Sequence, residues 1–153
     1  MQRITPNLWF NGNAEEAVNY YVDTFENSKI MKTEYYPNDP NSLLEFQKEL
    51  AGKVLTIDFE LNGQQFVAIN AGPEFSFTEA VSFMISCKDQ AEVDYYWEKL
   101  SAVPESEQCG WCKDKFGLSW QVVPTNFDEV LKIPGNYEIM MEQHKIVIAE
   151  YNT

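Results

Sequence analysis

Apolar residues recur at intervals of three and four from Ala14 to Phe25, where Ala14, Ala17, Val18, Tyr21, Val22 and Phe25 form one stripe behind Asn13, a residue type that caps helices. The same spacing returns behind Asp89, with Val93, Tyr96, Trp97 and Leu100 on the stripe. Both stretches predict amphipathic helices. A short strand precedes each, ITPNLWF and AVSFMIS, in which Leu8 and Phe10 match Phe83 and Ile85 on one face. A hairpin follows each. VLTIDFELNGQQFVAIN turns at Asn62-Gly63, a strong two-residue hairpin signal, and EQCGWCKDKFGLSWQVVP is its counterpart.

These elements form an internal repeat. VNYYVDTF (Val18 to Phe25) lies on VDYYWEKL (Val93 to Leu100) without a gap at an offset of 75 residues. The hairpins align at an offset of 54, which puts Gly63 on Gly117, Ile57 on Trp111, Phe66 on Trp120 and Val67 on Gln121. The offset shrinks because the first half carries an extra segment, read as a strand from Ile30 to Tyr36 and the turn PNDPNS. Each half thus reads β-α-β-β-β, with the second strand weak or missing in the second half. The expected organisation is one α+β domain with module one at 1–77, module two at 78–125 and an extension at 126–153. In the extension, NFDEVLKI has helical spacing behind Asn126, and Ile139, Met140, Met141, Ile146 and Ile148 are more apolar surface than a solvated tail exposes. It is expected to cover a module edge or to pack against a second copy in a homodimer.

Strand alternation places Leu8, Phe10, Ile57, Phe66, Phe83, Ile85, Trp111 and Trp120 beneath the helices. Asn7, Trp9, Thr56, Asp58, Val67, Ile69, Ser82, Met84, Cys112, Ser119 and Gln121 fall on the other face. With 44% hydrophobic residues in 153, there is ample material for a core. Eleven basic against 24 acidic residues give a net charge of −13, which argues against nucleic acid and anionic membrane surfaces as partners. No apolar run approaches the roughly 18 residues that span a bilayer, and MQRITPNLWF does not read as a signal peptide, so a cytoplasmic location is expected.

The pair Cys109 and Cys112 invites a redox or zinc reading. On a strand, residues three apart face opposite sides, so the strand reading separates the two thiols and leaves all three cysteines unpaired. A zinc set of Cys87, Cys109, Cys112 and His144 has the ligand count but no familiar ligand spacing.

The paired modules, the helix ending in a doubled aromatic and D-K-F-G-x-x-W-Q in the last hairpin together resemble the vicinal-oxygen-chelate superfamily of glyoxalases, extradiol dioxygenases and bleomycin-resistance proteins. PNLWFNGNAEEAVNYYVDTF with GWCKDKFGLSWQVVP resembles its PhnB-like branch, labelled 3-demethylubiquinone-9 3-methyltransferase, over about residues 4–125. The resemblance implies tandem βαβββ modules forming a curved mixed sheet with a concave site. In metal-using members, one residue from the first and one from the last strand of each module hold the ion. Those positions carry over to Asn7 (or Pro6), Val67, Ser82 and Gln121. None is His, Asp or Glu, so the donor set does not suit a divalent cation, and Glu74 swinging in is the residual route.

The expectation is therefore a metal-free, cofactor-free protein of PhnB-like or bleomycin-resistance type that binds a small molecule in an apolar concavity. Its candidate ligand contacts are Asn7, Trp9, Val67, Ser82, Met84, Cys112 and Gln121. Gln121 would either orient a polar ligand or hydrogen-bond Asn7 or Ser82. The alternative is an enzyme: a lyase or isomerase of the superfamily, for which Asp58 is the candidate acid or base, or the methyltransferase of the family label. The seven glycines form no G-x-G of the kind a Rossmann-type methyltransferase uses. Elemental analysis of dialysed protein is expected to find less than stoichiometric zinc, nickel, iron or manganese; one ion per chain, lost when the four carried-over positions are mutated, would overturn the donor-set argument.

Overall fold

The computed structural model describes residues 2–153, which divide into two compact units, one running up to Ser76 and the other from Phe77 to Thr153. The first contains β1 (Asn7–Asn11), α1 (Ala14–Thr24), β2 (Lys29–Tyr35), β3 (Val54–Leu61) and β4 (Gln64–Ala71), with short 3-10 turns at Pro40–Ser42 and Glu45–Leu50. Its sheet runs β1-β4-β3-β2. Parallel pairing of β1 with β4 sets Asn7 beside Val67 and Trp9 beside Ile69, while the antiparallel β3–β4 hairpin sets Asp58 beside Val67. Its two-residue turn has both Asn62 and Gly63 at positive φ (47° and 87°), the twist that Asn-Gly accommodates cheaply. Leu8, Phe10, Ile57, Phe59, Phe66 and Ala68 are buried on the face beneath α1, whose own buried side chains are Ala14, Ala17, Val18, Tyr21 and Thr24.

The second unit contains β5 (Ser82–Cys87), α2 (Gln90–Leu100), β6 (Trp111–Lys113) and β7 (Ser119–Pro124), then α3 (Phe127–Leu131) and α4 (Asn136–Glu142). Its sheet runs β5-β7-β6, with β5 parallel to β7, and no strand intervenes between α2 and β6. This is the shortened module that the repeat predicted. No helix among the described residues is long and apolar enough to cross a membrane.

Three local expectations need correcting. Asn13 and Asn126 occupy N-cap positions, but neither side chain makes a cap bond. At α1 the donor is satisfied from across the sheet, by Asn70 Oδ1 accepting from Ala14 N at 3.1 Å, while Asp89 caps α2 by accepting from Glu92 N at 2.9 Å. Second, CGWC is not a continuous strand. Gln108 and Trp111 bond to each other across a turn in which Cys109 and Gly110 have φ of 53° and 85°, so only Cys112 of the pair lies on β6.

Third, Trp111 and Cys112 exchange faces. Trp111 pairs with Gln121 and Cys112 with Trp120, so Cys112 lies beneath α2 with Trp120 and Trp111 stands on the opposite face. The first hairpin turns over two residues, but in the second Asp114 is bonded to Leu118 around three, Lys115 to Gly117. One added residue slips β6 by one position, and a one-residue slip reverses every side chain on a strand. The turn is held by Asp114, whose carboxylate accepts from Phe116 N (2.8 Å), Leu118 N (3.0 Å) and Trp120 Nε1 (2.8 Å) and is 1% exposed. These bonds explain why Asp, Gly and Trp stand together in D-K-F-G-x-x-W-Q. Asp114→Ala would leave the buried donors Leu118 N and Trp120 Nε1 and the partly buried Phe116 N unmatched, and is expected to cost about 3 kcal/mol, read as a lower urea midpoint; an unchanged midpoint would show that the carboxylate does not hold the turn.

Candidate functional site

The extension folds back onto the second unit. Val123, Phe127, Ile146 and Tyr151 form a buried cluster, and Phe127 meets Tyr151 edge to face at 5.7 Å. Gln90, in the first turn of α2, clasps the returning chain by donating to Ile146 O (2.9 Å) and accepting from Ile148 N (2.8 Å). Lys145 pairs with Asp94 at 2.8 Å. Cys109 N and Gly110 N donate to Gln143 O and His144 O, both at 2.8 Å, so the turn before β6 is fastened to the tail as well.

This docking leaves a groove of about 920 Å³ over the sheet face opposite α2. Met84, Gln121 and Trp111 line it from the strands, Phe127 and Leu131 from α3, and Met140 and Met141 from α4. Gln121 Nε2 donates to Ser82 Oγ at 2.9 Å, which leaves its carbonyl oxygen as an acceptor. Lys113 is ion-paired with Glu79, a lining residue whose carboxyl the bond to Lys113 holds below the ordinary carboxylate range.

The seven proposed ligand contacts thus separate. Met84 and Gln121 line the groove, and Ser82 touches it through Gln121. Cys112 is 1% exposed on the other face and cannot reach it. In the first unit, Asn7, Val67, Asp58 and Lys32 form one row across the sheet, and the Asn7 amide is turned back to Thr5 O at 3.0 Å. Trp9 lines a separate pocket of about 270 Å³ with Tyr36, Phe46, Glu49 and Glu74. Trp111, Phe127, Met140 and Met141 were missed as groove residues because only the three-residue turn and the docked tail bring them there.

The residues at the positions that hold the ion in metal-using members do not fit one: Asn7 and Val67 offer an amide and a methyl group, Ser82 and Gln121 a hydroxyl and an amide already bonded to each other. Among the described residues, no three His, Cys, Asp or Glu side chains gather as a metal centre.

Two modules, each closing a first strand in parallel against its last, are consistent with the vicinal-oxygen-chelate superfamily. The profile of the 3-demethylubiquinone-9 3-methyltransferase family matches residues 2–123, and the chain belongs to that family. A PhnB protein from Bacillus cereus, provisionally named a 3-demethylubiquinone-9 3-methyltransferase, is 34% identical, with a TM-score of 0.63 over 80% of this chain and 99% of its own. The fold also recurs in PA1353 from Pseudomonas aeruginosa, at 19% identity and a TM-score of 0.56 over 81% of this chain and 98% of that one. The Arabidopsis thaliana product AT5G48480 shares it at 21% identity and a TM-score of 0.50, over 80% and 98% of the two chains. No curated protein matches.

The three cysteines are free, and their surroundings differ. Burial pushes the Cys87 and Cys112 thiols up to about 12, helped by the charges of Glu92 and Asp89 for the first and of Asp114 and Glu107 for the second. Cys109 is only half-buried, lines the groove and lies 3.7 Å from Met141 Sδ. A disulfide-exchange reagent at neutral pH is expected to titrate one thiol quickly in the native protein and three in denaturant. The buried thiols also carry an alkaline signature. Unfolded cysteines ionise near pH 9 while these keep their protons to about 12, so their contribution to stability is full below pH 9 and is lost between 9 and 12. Replacing both by Ser should flatten that alkaline loss; an unaltered slope would exclude them as its source.

Proposed function

We propose that this protein binds a small, largely apolar and partly aromatic compound in the groove of its second unit. The observation that carries the reading is the groove itself: about 920 Å³, walled by Trp111, Phe127 and three methionines, with the amides of Gln108 and Gln121 and the carboxylates of Glu79 and Asp128 among its lining. A concavity with apolar walls and few directed polar groups is the usual form of a small-molecule site. Methionines suit ligands of variable shape, because the unbranched thioether repacks at little cost. Gln121 favours a ligand presenting an N–H or O–H beside its apolar body.

The test is a melting-temperature screen of aromatic metabolites, since a ligand at one hundred times its Kd stabilises the folded state by about 2.7 kcal/mol. Hits should quench tryptophan fluorescence and lose about tenfold in affinity in Trp111→Leu, the loss of a buried aromatic anchor, while Trp9→Leu leaves them unchanged. Hits unaffected by Trp111→Leu would place the ligand elsewhere. Supplying S-adenosylmethionine with each hit separates binding from the transfer in the family's name: a product heavier by one methylene would replace the binding reading with an enzymatic one.

A further inference from the structure

The smaller pocket lies wholly in the first unit and has a different character. Its walls include the rings of Trp9, Tyr36 and Phe46 and the carboxylates of Glu49 and Glu74, and none of its lining residues is Lys or Arg. The polar tips of two rings are already engaged: Trp9 Nε1 donates to Gly72 O at 2.9 Å and Tyr36 Oη to Asn70 O at 2.7 Å. Neither has a donor left for a ligand, so what they chiefly offer one is π surface. Phe75 braces Trp9 edge to face, with ring centroids 4.8 Å apart. Tyr36 is 6% exposed, and its phenol is held protonated by burial and by the nearby Glu74 charge.

The carboxylates lack a counter-charge. Among the described residues no ion pair engages Glu49 or Glu74, whereas the adjacent Lys48 is paired with Glu45 at 2.8 Å. Glu74 bends close over Gly72, where a Cβ would stand only 2.7 Å from its Oε2. Aromatic rings whose donors are spent, beside unpaired carboxylates, attract a cation that is itself poorly hydrated. A quaternary or methylated ammonium meets that description; a metal ion, with no set of converging oxygens, does not. At about 270 Å³ the pocket takes a headgroup and not a bulky molecule.

We propose that the Trp9–Tyr36–Glu74 pocket is a binding site for a quaternary or methylated ammonium group. It involves no residue of the second unit's groove, so the two readings stand or fall separately.

Titration with choline at constant ionic strength, followed through the Trp9 indole N–H resonance, tests the proposal against 3,3-dimethylbutan-1-ol, its uncharged isostere. Choline should give a saturable shift, and the isostere should bind about tenfold more weakly, the size of a partly desolvated cation–π contact. Glu74→Gln, a change at an exposed side chain that should leave the fold intact, should weaken choline about threefold without affecting the isostere. Trp9→Leu, read by calorimetry, should abolish binding. Equal affinity for the two probes would mean an apolar slot and overturn the proposal. So would the absence of a saturable shift, or choline binding indifferent to both variants.

Discussion

One buried carboxylate governs the geometry of the second unit. Asp114 gathers two backbone donors of its own turn and the indole of Trp120, and so secures a three-residue turn where the first unit uses two. Strand faces alternate with period two, so that single residue decides whether a tryptophan or a cysteine looks into the groove. Trp111 becomes a wall and Cys112 becomes core. Were the turn released, the groove would lose its Trp111 wall before any groove residue had changed.

The two units close their sheets alike, first strand parallel to last, and then cover the remaining face differently. In the first, the chain between β2 and β3 winds through short 3-10 turns and brings Phe46 and Glu49 to a small pocket beside Trp9. The second has no such segment, and its extension returns instead, held by Gln90 and by the buried cluster around Ile146. One module plan thus yields a narrow, acidic, aromatic pocket and a broad, sulfur-rich groove.

Much of this was legible in the chain. The helical stripes, the Asn-Gly hairpin and the missing strand are local patterns, and local periodicity reports them. What escaped was set by longer-range constraints. Asn13 looked like the cap of α1, yet Asn70, 56 residues away in sequence, accepts from Ala14 N. The register of β6 hung on one additional turn residue, which a repeat alignment absorbs without a trace. The groove needed the tail's docking site, and nothing in the spacing of Ile146 or Met141 says which surface they meet.

The clasp at Gln90 also bears on the order in which the chain can fold during synthesis. The first unit's strands and helix are all complete before residue 77, so its contacts can form while the rest is still being made. The second unit cannot finish in the same way. Gln90 waits for Ile146 and Ile148, Asp94 for Lys145, and the cavity-lining side of its sheet for α4. Until that segment leaves the ribosome, Val123 and Phe127 lack the cover that Ile146 and Tyr151 give them in the finished fold, which leaves the nascent second unit with an uncovered apolar face for a chaperone to hold.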